Sequence, residues 1–502
     1  MSYKSATRPR SIAWEIASLL MLSLSFQAAI AQSATLPGTK PGILLGQFLK
    51  LCQGKDGDSL AAWYTRNSTT QAALGRAGWQ GSLTGENGAE VCRANGGLHV
   101  ESISKSAPDA VSAVVEGPNS GIWYDLTLAT DGSGKLAGVQ MMPTAPFENT
   151  LPKDLSDTSV KRNVADMVFR LNRAGLFSGI VMVARGDRIL VSAAAGYANR
   201  DRKSPITGDS QFQLGSMGKL FTAIAVGQLV DQHKLSFDDT VGKFFPYYPN
   251  QTVRDKVTVG MLLSHTAGLG DFLMKRTPEM VNNGVHRAAE FMPLYDRDEP
   301  QFAPGTSWAY SNAGLALAGA IVEKASGEDY PDYLAKHVFA VAGMRSSNPN
   351  NIPHRSARLV IPYTKLTMHG PTSDWHEAAH DIGSPAGGAI SSANDLVRFA
   401  NALRTGKLVS RRTFEEMTEY RAGAHGVKFG YGFGIQDIYD CRIVGHSGGY
   451  AGVSTRLAIF SKSPYTVVVL ANQDPPAEAY AGTGIVALIA EKAKRELRTR
   501  CP

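Results

Sequence analysis

Cysteine is scarce in this chain, four among 502 residues, too few for a scaffold held together by a dense disulfide framework. None of the four has C-x-x-C spacing, and no histidine stands at ligand spacing from one, so no zinc site is expected. Charge is sparse too, at 19% of residues, and the net charge of +7 is spread without runs of Lys or Arg. That pattern reads as solvated surface and offers no footprint for nucleic acid. After the apolar N-terminal stretch, nothing approaches the roughly 18 consecutive apolar residues of a membrane span. Neither internal repeats nor low-complexity segments are found. What is present is ordinary for a folded protein: a hydrophobic fraction of 43%. At about 150 residues per domain, the length suggests two to four domains.

Lys4, Arg8 and Arg10 open the chain, Ala17 to Ile30 is apolar and rich in leucine, and Ala29-Ile30-Ala31 has small-x-small character. This is the layout of a signal peptide over 1–31, with a mature chain that begins at Gln32 and keeps no transmembrane span. The first cysteine, Cys52, lies far from that cut, which argues against a lipid anchor. Export, to the periplasm or outside the cell, allows disulfides to persist. Four cysteines permit three pairings, and their positions favour Cys52–Cys92 and Cys441–Cys501.

The fold class reads as α+β throughout. Leu44, Leu45, Phe48, Leu49 and Cys52 repeat at helical spacing, and Leu60, Trp63 and Tyr64 belong to a second helix. From Leu98 to Met142 the period changes to four strand-like runs separated by turn clusters. Helices followed by a meander make a small α+β domain over 38–143, similar in element order to the NTF2-like fold, for which the sequence names no partner. Pro143, Pro146 and Pro152 mark 144–156 as a linker. A helix ending at Gly175, a hairpin around Gly186, a largely helical middle, three late strands and a closing helix fill 157–500. Strands at both ends of that segment predict one antiparallel sheet built from its two termini, with helices over its faces.

Ser216-Met217-Gly218-Lys219 stands at the mouth of a run so apolar, Leu220 to Val230, that its helix must be buried. A lysine one turn from a serine can take its proton if burial lowers the amine pKa, and the helix terminus favours an oxyanion. The same spacing recurs as Ser102-Ile103-Ser104-Lys105, but inside a predicted strand, where the side chains cannot meet. In Tyr310-Ser311-Asn312 a phenol able to shuttle a proton and an amide able to hold a carbonyl precede another buried helix. Gly445-His446-Ser447-Gly448-Gly449 closes a strand, its glycines permitting close backbone approach. It also spells G-x-S-x-G, but a strand rather than a helix follows and no later histidine exists, so a nucleophile elbow is excluded. His265 reads as a residue that orders its loop. His376 and His380 lack the H-E-x-x-H order of a metal site.

In this order the three segments resemble the S-x-x-K, Y-x-N and K-T-G elements of the penicillin-recognising serine hydrolases, closest to the class C β-lactamase branch. That branch also holds D-alanyl-D-alanine carboxypeptidases, D-amino-acid peptidases and family VIII carboxylesterases. The phrases around Ser264-His265-Thr266-Ala267-Gly268, Pro385-Ala386-Gly387-Gly388 and Tyr431-Gly432-Phe433-Gly434 are similar to the family's as well. The resemblance implies a β-lactamase/transpeptidase-like fold and no metal or organic cofactor. It implies Ser216 as the acylated nucleophile, Lys219 and Tyr310 as sharers of its proton, and Asn312 as the group that orients the acyl side chain. The oxyanion would lie against the N–H groups of Ser216 and Gly449, beside Ser447 and Gly448. His446 replaces the lysine of K-T-G. An imidazole is mostly neutral at pH 7, so a small ester, amide or D-amino-acid peptide substrate is expected ahead of a β-lactam. The alternatives are a β-lactamase or penicillin-binding carboxypeptidase and, in another class, a non-catalytic penicilloyl-type sensor or partner-binding protein.

Overall fold

Apolar side chains at positions 44, 45, 48, 49 and 52 line one face of helix α1 (Lys40–Gln53), whose N-cap Thr39 accepts from Gly42 N. With α2 (Gly57–Asn67) and α3 (Gly85–Asn95) it covers an antiparallel meander of β1 (His99–Ser106), β2 (Ala110–Gly117), β3 (Ile122–Thr130) and β4 (Leu136–Thr144). The structure, a computed structural model, describes residues 35–54, 57–68, 85–276, 280, 287–349, 356, 358–367, 370–378, 383–424 and 426–500. The expected signal peptide, Cys501 and His380 lie outside the described residues. The second Ser-x-x-Lys sequence falls in β1, as its strand period predicts. A disulfide joins Cys52 of α1 to Cys92 of α3.

Helix α4 (Asp157–Arg173) buries Val160, Val164, Val168 and Leu171 along one stripe; Ser156 caps its start, and Gly175 follows its end at φ +74. Then β5 (Gly179–Arg185) and β6 (Arg188–Ala195) form the expected hairpin. They join β7 (Ala422–Ala424), β8 (Val427–Phe429), β9 (Gly434–Ile438), β10 (Cys441–Tyr450), β11 (Val453–Phe460) and β12 (Tyr465–Ala471). The eight strands run antiparallel in the order β7-β8-β9-β10-β11-β12-β5-β6, so the chain's two ends do meet in one sheet, where Val468 of β12 faces Met182 of β5. A hairpin of Tyr363–Thr367 with Gly370–Glu377 interrupts the region expected to be helical, and the short strands β7 to β9 lie beyond it, in a stretch for which no element was expected. Three to five residues with interspersed glycine are too few for a period of two to show.

Strand alternation buries both faces of the sheet's centre. Ile180, Met182, Leu457, Val468 and Leu470 join a core shared with the buried helix α5 (Lys219–Asp231) and with α6 (Asn312–Ser326) and α7 (Ala393–Arg404). Val181, Val183, Ala458, Val467 and Val469 join α4 and the last helix, α8 (Ala477–Arg500). This second core is continuous with that of the meander and its helices. The segment 144–156, expected as a linker, packs against α8: Lys492 Nζ donates to Leu155 O at 2.7 Å and Arg495 to Lys153 O at 2.7 Å. Of the expected Cys441–Cys501 pairing, only Cys441 lies among the described residues. Cys441 is a free, buried thiol whose Sγ lies 3.4 Å from Ala490 O, in the core beneath α8. Among the described residues no helix is long and apolar enough to cross a membrane.

In α5 the Phe221 ring meets Phe339 and Phe399 edge-on at 4.8 and 5.0 Å. Truncating such a buried ring leaves a cavity that this close packing cannot collapse around. We expect Phe221→Ala to lower unfolding free energy by about 3–5 kcal/mol, read from the shift in urea midpoint.

Candidate active site

Ser216 lies in a 3-10 turn, Gly215–Gly218, that runs straight into α5. With three residues per turn, side chains three apart eclipse, so Ser216 and Lys219 stand one above the other. Lys219 Nζ is 3.0 Å from Ser216 Oγ. The turn is held from two sides: Thr455 Oγ1 donates to Leu214 O at 2.7 Å, and Gly388 N donates to Gly215 O at 3.0 Å. Gly215 has φ +56, a left-handed conformation that costs a side-chain-bearing residue strain.

Lys219 is fully buried, at 0% exposure, with no ion-pair partner among the described residues. Its Nζ donates to Asn312 Oδ1 at 2.8 Å and to Ala386 O. Burial pulls its pKa down to about 7, against the opposing field of Asp271. Near neutral pH a large share of the amine is therefore uncharged. Two acceptors then take its two hydrogens, and the lone pair is left for the Ser216 hydroxyl proton. Asn312 is fixed in turn, because its Nδ2 donates to Asp271 Oδ2 at 2.7 Å.

Tyr310 precedes the N-cap Ser311 of α6, whose Oγ accepts from Gly314 N at 2.8 Å. The Tyr310 ring keeps 39% of its surface open, while its hydroxyl end is enclosed by protein beside Ser216. That enclosure raises the phenol pKa; a hydrogen bond with Ser216 partly offsets the rise and Asp271 adds to it. Tyr310 is thus a proton donor at neutral pH. Lys219 Nζ lies 4.7 Å from the Tyr310 ring centroid. The His265 ring lies 4.5 Å from the Tyr310 ring, tilted by 32°, and its Nδ1 accepts from Ser311 N at 3.1 Å. It orders the loop, as expected, from a left-handed backbone at φ +62.

Strand β10 closes the site. Its pairing with β9 stops at Gly445, which leaves residues 446–450 with an open backbone edge beside the Ser216 turn. A Cβ at Gly448 would lie 1.9 Å from Leu214 O, and one at Gly215 would lie 3.1 Å from Gly449 N; only glycines permit this approach. His446 Nδ1 meets Ser447 O, so that nitrogen carries the hydrogen and Nε2 is an acceptor, sealed from solvent and without a partner. Burial of this edge of a half-buried residue, and then the charge of Lys219, push the His446 pKa down to about 3. Ser447 is exposed and enters the site through its carbonyl.

Ser216, Lys219, Tyr310, Asn312, His446, Gly448 and Gly449 are therefore brought together. Sequence reasoning missed Asp271, the Ala386 carbonyl as a lysine acceptor, and the aromatic wall of Trp308 and Phe429. Phe429 lies 5.0 Å from His265 and 5.8 Å from His446. Asp271 and Ala386 follow or sit within phrases already noted for their resemblance, which was the only signal available.

Asp271 raises the Lys219 pKa, so removing its charge should lower it further. We expect Asp271→Asn, which retains an acceptor for Asn312, to move the acid limb of Ser216 acylation to lower pH. Asp271→Glu should leave the limb in place, both measured as the pH dependence of fluorophosphonate labelling.

The family model described as Beta-lactamase matches residues 160–491. Penicillin-binding protein 4* of Bacillus subtilis (strain 168) is 31% identical over 320 residues, covering 60% of this chain and 69% of that protein. Esterase EstB of Burkholderia gladioli is 29% identical over 272 residues, covering 48% of this chain and 68% of that protein. Among solved structures, a penicillin binding protein from Bacillus halodurans superposes with a TM-score of 0.55 at 27% identity, over 66% of this chain and 98% of that one. The matched residues 160–491 take in the sheet built from both termini, the serine turn at the head of a buried helix and the glycine-rich strand beside it, and the chain belongs to the beta-lactamase family.

Proposed function

We propose that the protein is a serine hydrolase that passes the acyl group of a small ester or amide to water through a covalent Ser216 ester. The observation that carries this reading is the buried Lys219 amine, poised near neutral charge 3.0 Å from Ser216 Oγ. Neutral Lys219 takes the Ser216 proton as Oγ attacks the substrate carbonyl. The N–H groups of Ser216 and Gly449 receive the oxyanion, and Asn312 orients the acyl side chain. Tyr310 gives its proton to the departing alkoxide or amine and regains one from the Lys219 ammonium. Water then attacks the ester, the same pair returns a proton to Ser216 Oγ, and the acid leaves. Export to the periplasm or beyond belongs to this reading, on the strength of residues 1–31.

His446 bears on the substrate. With a pKa near 3 it is neutral across the working range and offers no cation to a substrate carboxylate. Esters, and amides such as D-amino-acid peptides, are thereby favoured over β-lactams. The second reading, a penicillin-binding carboxypeptidase or β-lactamase, draws on the similarity to penicillin-binding protein 4*.

We expect Ser216→Ala to abolish both fluorophosphonate labelling and hydrolysis of p-nitrophenyl butyrate. Equal labelling after that change would refute the assignment. Lys219→Ala should slow acylation at least about a hundredfold. In the unmodified enzyme the acylation rate should fall about tenfold per pH unit well below 7, because the protonated amine cannot accept a proton. His446→Lys should lower KM for nitrocefin, which carries a carboxylate, more than for p-nitrophenyl butyrate; equal KM changes would remove His446 from substrate selection.

A further inference from the structure

A cavity of about 440 Å³ opens between the outer face of the β1–β4 meander, α4 and α8. It is bounded by different residues from those around Ser216, and its volume lies in the range of about 300–1,000 Å³ usual for small-molecule sites. Glu116 of β2 stands directly across from Trp123 of β3, close enough for the two side chains to share one ligand group. Glu101 joins them from β1, and Arg170 of α4 and Tyr480 of α8 form the opposite wall.

The charges in this cavity are not satisfied by the protein. Among the described residues neither the Glu101 nor the Glu116 carboxylate makes a hydrogen bond or an ion pair. Burial and then the neighbouring Glu101 raise the Glu116 pKa, with His99 and Arg170 opposing. Two carboxylates held together without a direct ion pair are costly unless a cation comes between them. Arg170 has only a helix-surface contact with Asp166, at 3.1 Å, and its buried Nε finds no aligned acceptor. Gly121 holds the space beside it, since a Cβ there would lie 2.9 Å from Arg170 Nη1.

From this arrangement we infer that the cavity is a binding site for an aromatic amino acid or another small aromatic zwitterion, separate from the hydrolytic site. The ligand's ammonium sits between Glu101 and Glu116 over the Trp123 ring, where carboxylate attraction and cation–π attraction add. Its carboxylate meets the Arg170 guanidinium, whose fork suits a planar anion. Its ring packs against Tyr480 and Met167.

Calorimetric titration of the full chain, with Ser216 first blocked by a fluorophosphonate, tests this with four probes: D-phenylalanine, L-phenylalanine, phenethylamine and 3-phenylpropionate. Saturable binding of at least one phenylalanine enantiomer at one site per chain is expected, with phenethylamine weaker and 3-phenylpropionate weaker still. The double variant Glu101→Gln/Glu116→Gln should weaken phenylalanine and phenethylamine at least tenfold. Arg170→Met should weaken phenylalanine at least tenfold and leave phenethylamine within about twofold. No saturable binding to the blocked protein, or unchanged affinity in both variants, overturns the inference. Because Ser216 is already blocked, such a failure leaves the hydrolase reading standing.

Discussion

Taking an ammonium group out of water without a carboxylate against it costs more than most folds can offset. Lys219 is in that position, at 0% exposure among acceptors that are all neutral. The usual escape is loss of the proton, and the lowered pKa expresses it. Much of the surrounding architecture makes that burial possible and keeps the resulting lone pair on Ser216. Helix α5 is buried from Lys219 to Leu229, the Asn312 amide and the Ala386 carbonyl occupy the hydrogens, and Asp271 sits one residue removed, tempering the pKa through space without neutralising the amine directly.

Placement of the serine rests on a second constraint, the closeness of two backbones. The turn at Gly215 and the edge of β10 approach so tightly that a methyl group at Gly448 would collide with Leu214 O. The contact brings the Gly449 N–H beside the Ser216 turn and makes the site depend on the register of β10 against β11, where Gly448 faces Thr455. Thr455 closes the loop by donating to Leu214 O. A slip of one residue would turn His446 to the opposite face and remove the glycine where the approach is closest. The sheet therefore acts as the ruler of the site, and the sheet in turn is held between two cores.

The second of those cores ties the N-terminal meander to the hydrolytic part. Its apolar contacts continue from α1 through β2 and β3 to α4, α8 and the far face of the eight-stranded sheet. The segment 144–156 carries backbone acceptors for α8 lysine and arginine side chains. A composition rich in proline looks like a spacer in one dimension, yet here it is wedged against a helix that arrives some 340 residues later in the chain. No local pattern encodes such a contact.

The sequence alone determined what local periodicity and motif order can carry. It established the helix period of α1 and α4, the four strands of the meander, the buried character of α5, the common sheet of the two termini and the sequence of Ser216, Lys219, Tyr310 and His446. Each of these follows from side-chain spacing within a short window, or from residue types whose chemistry is the same wherever they stand. Only the tertiary structure decided the rest. Asp271 and Ala386 matter through distances to residues far along the chain, Cys441 turned out a lone thiol beneath α8, and the short strands β7 to β9 exist because a neighbouring strand pairs with them. Such features are properties of pairs brought together by folding, and a linear text holds only one member of each pair at a time.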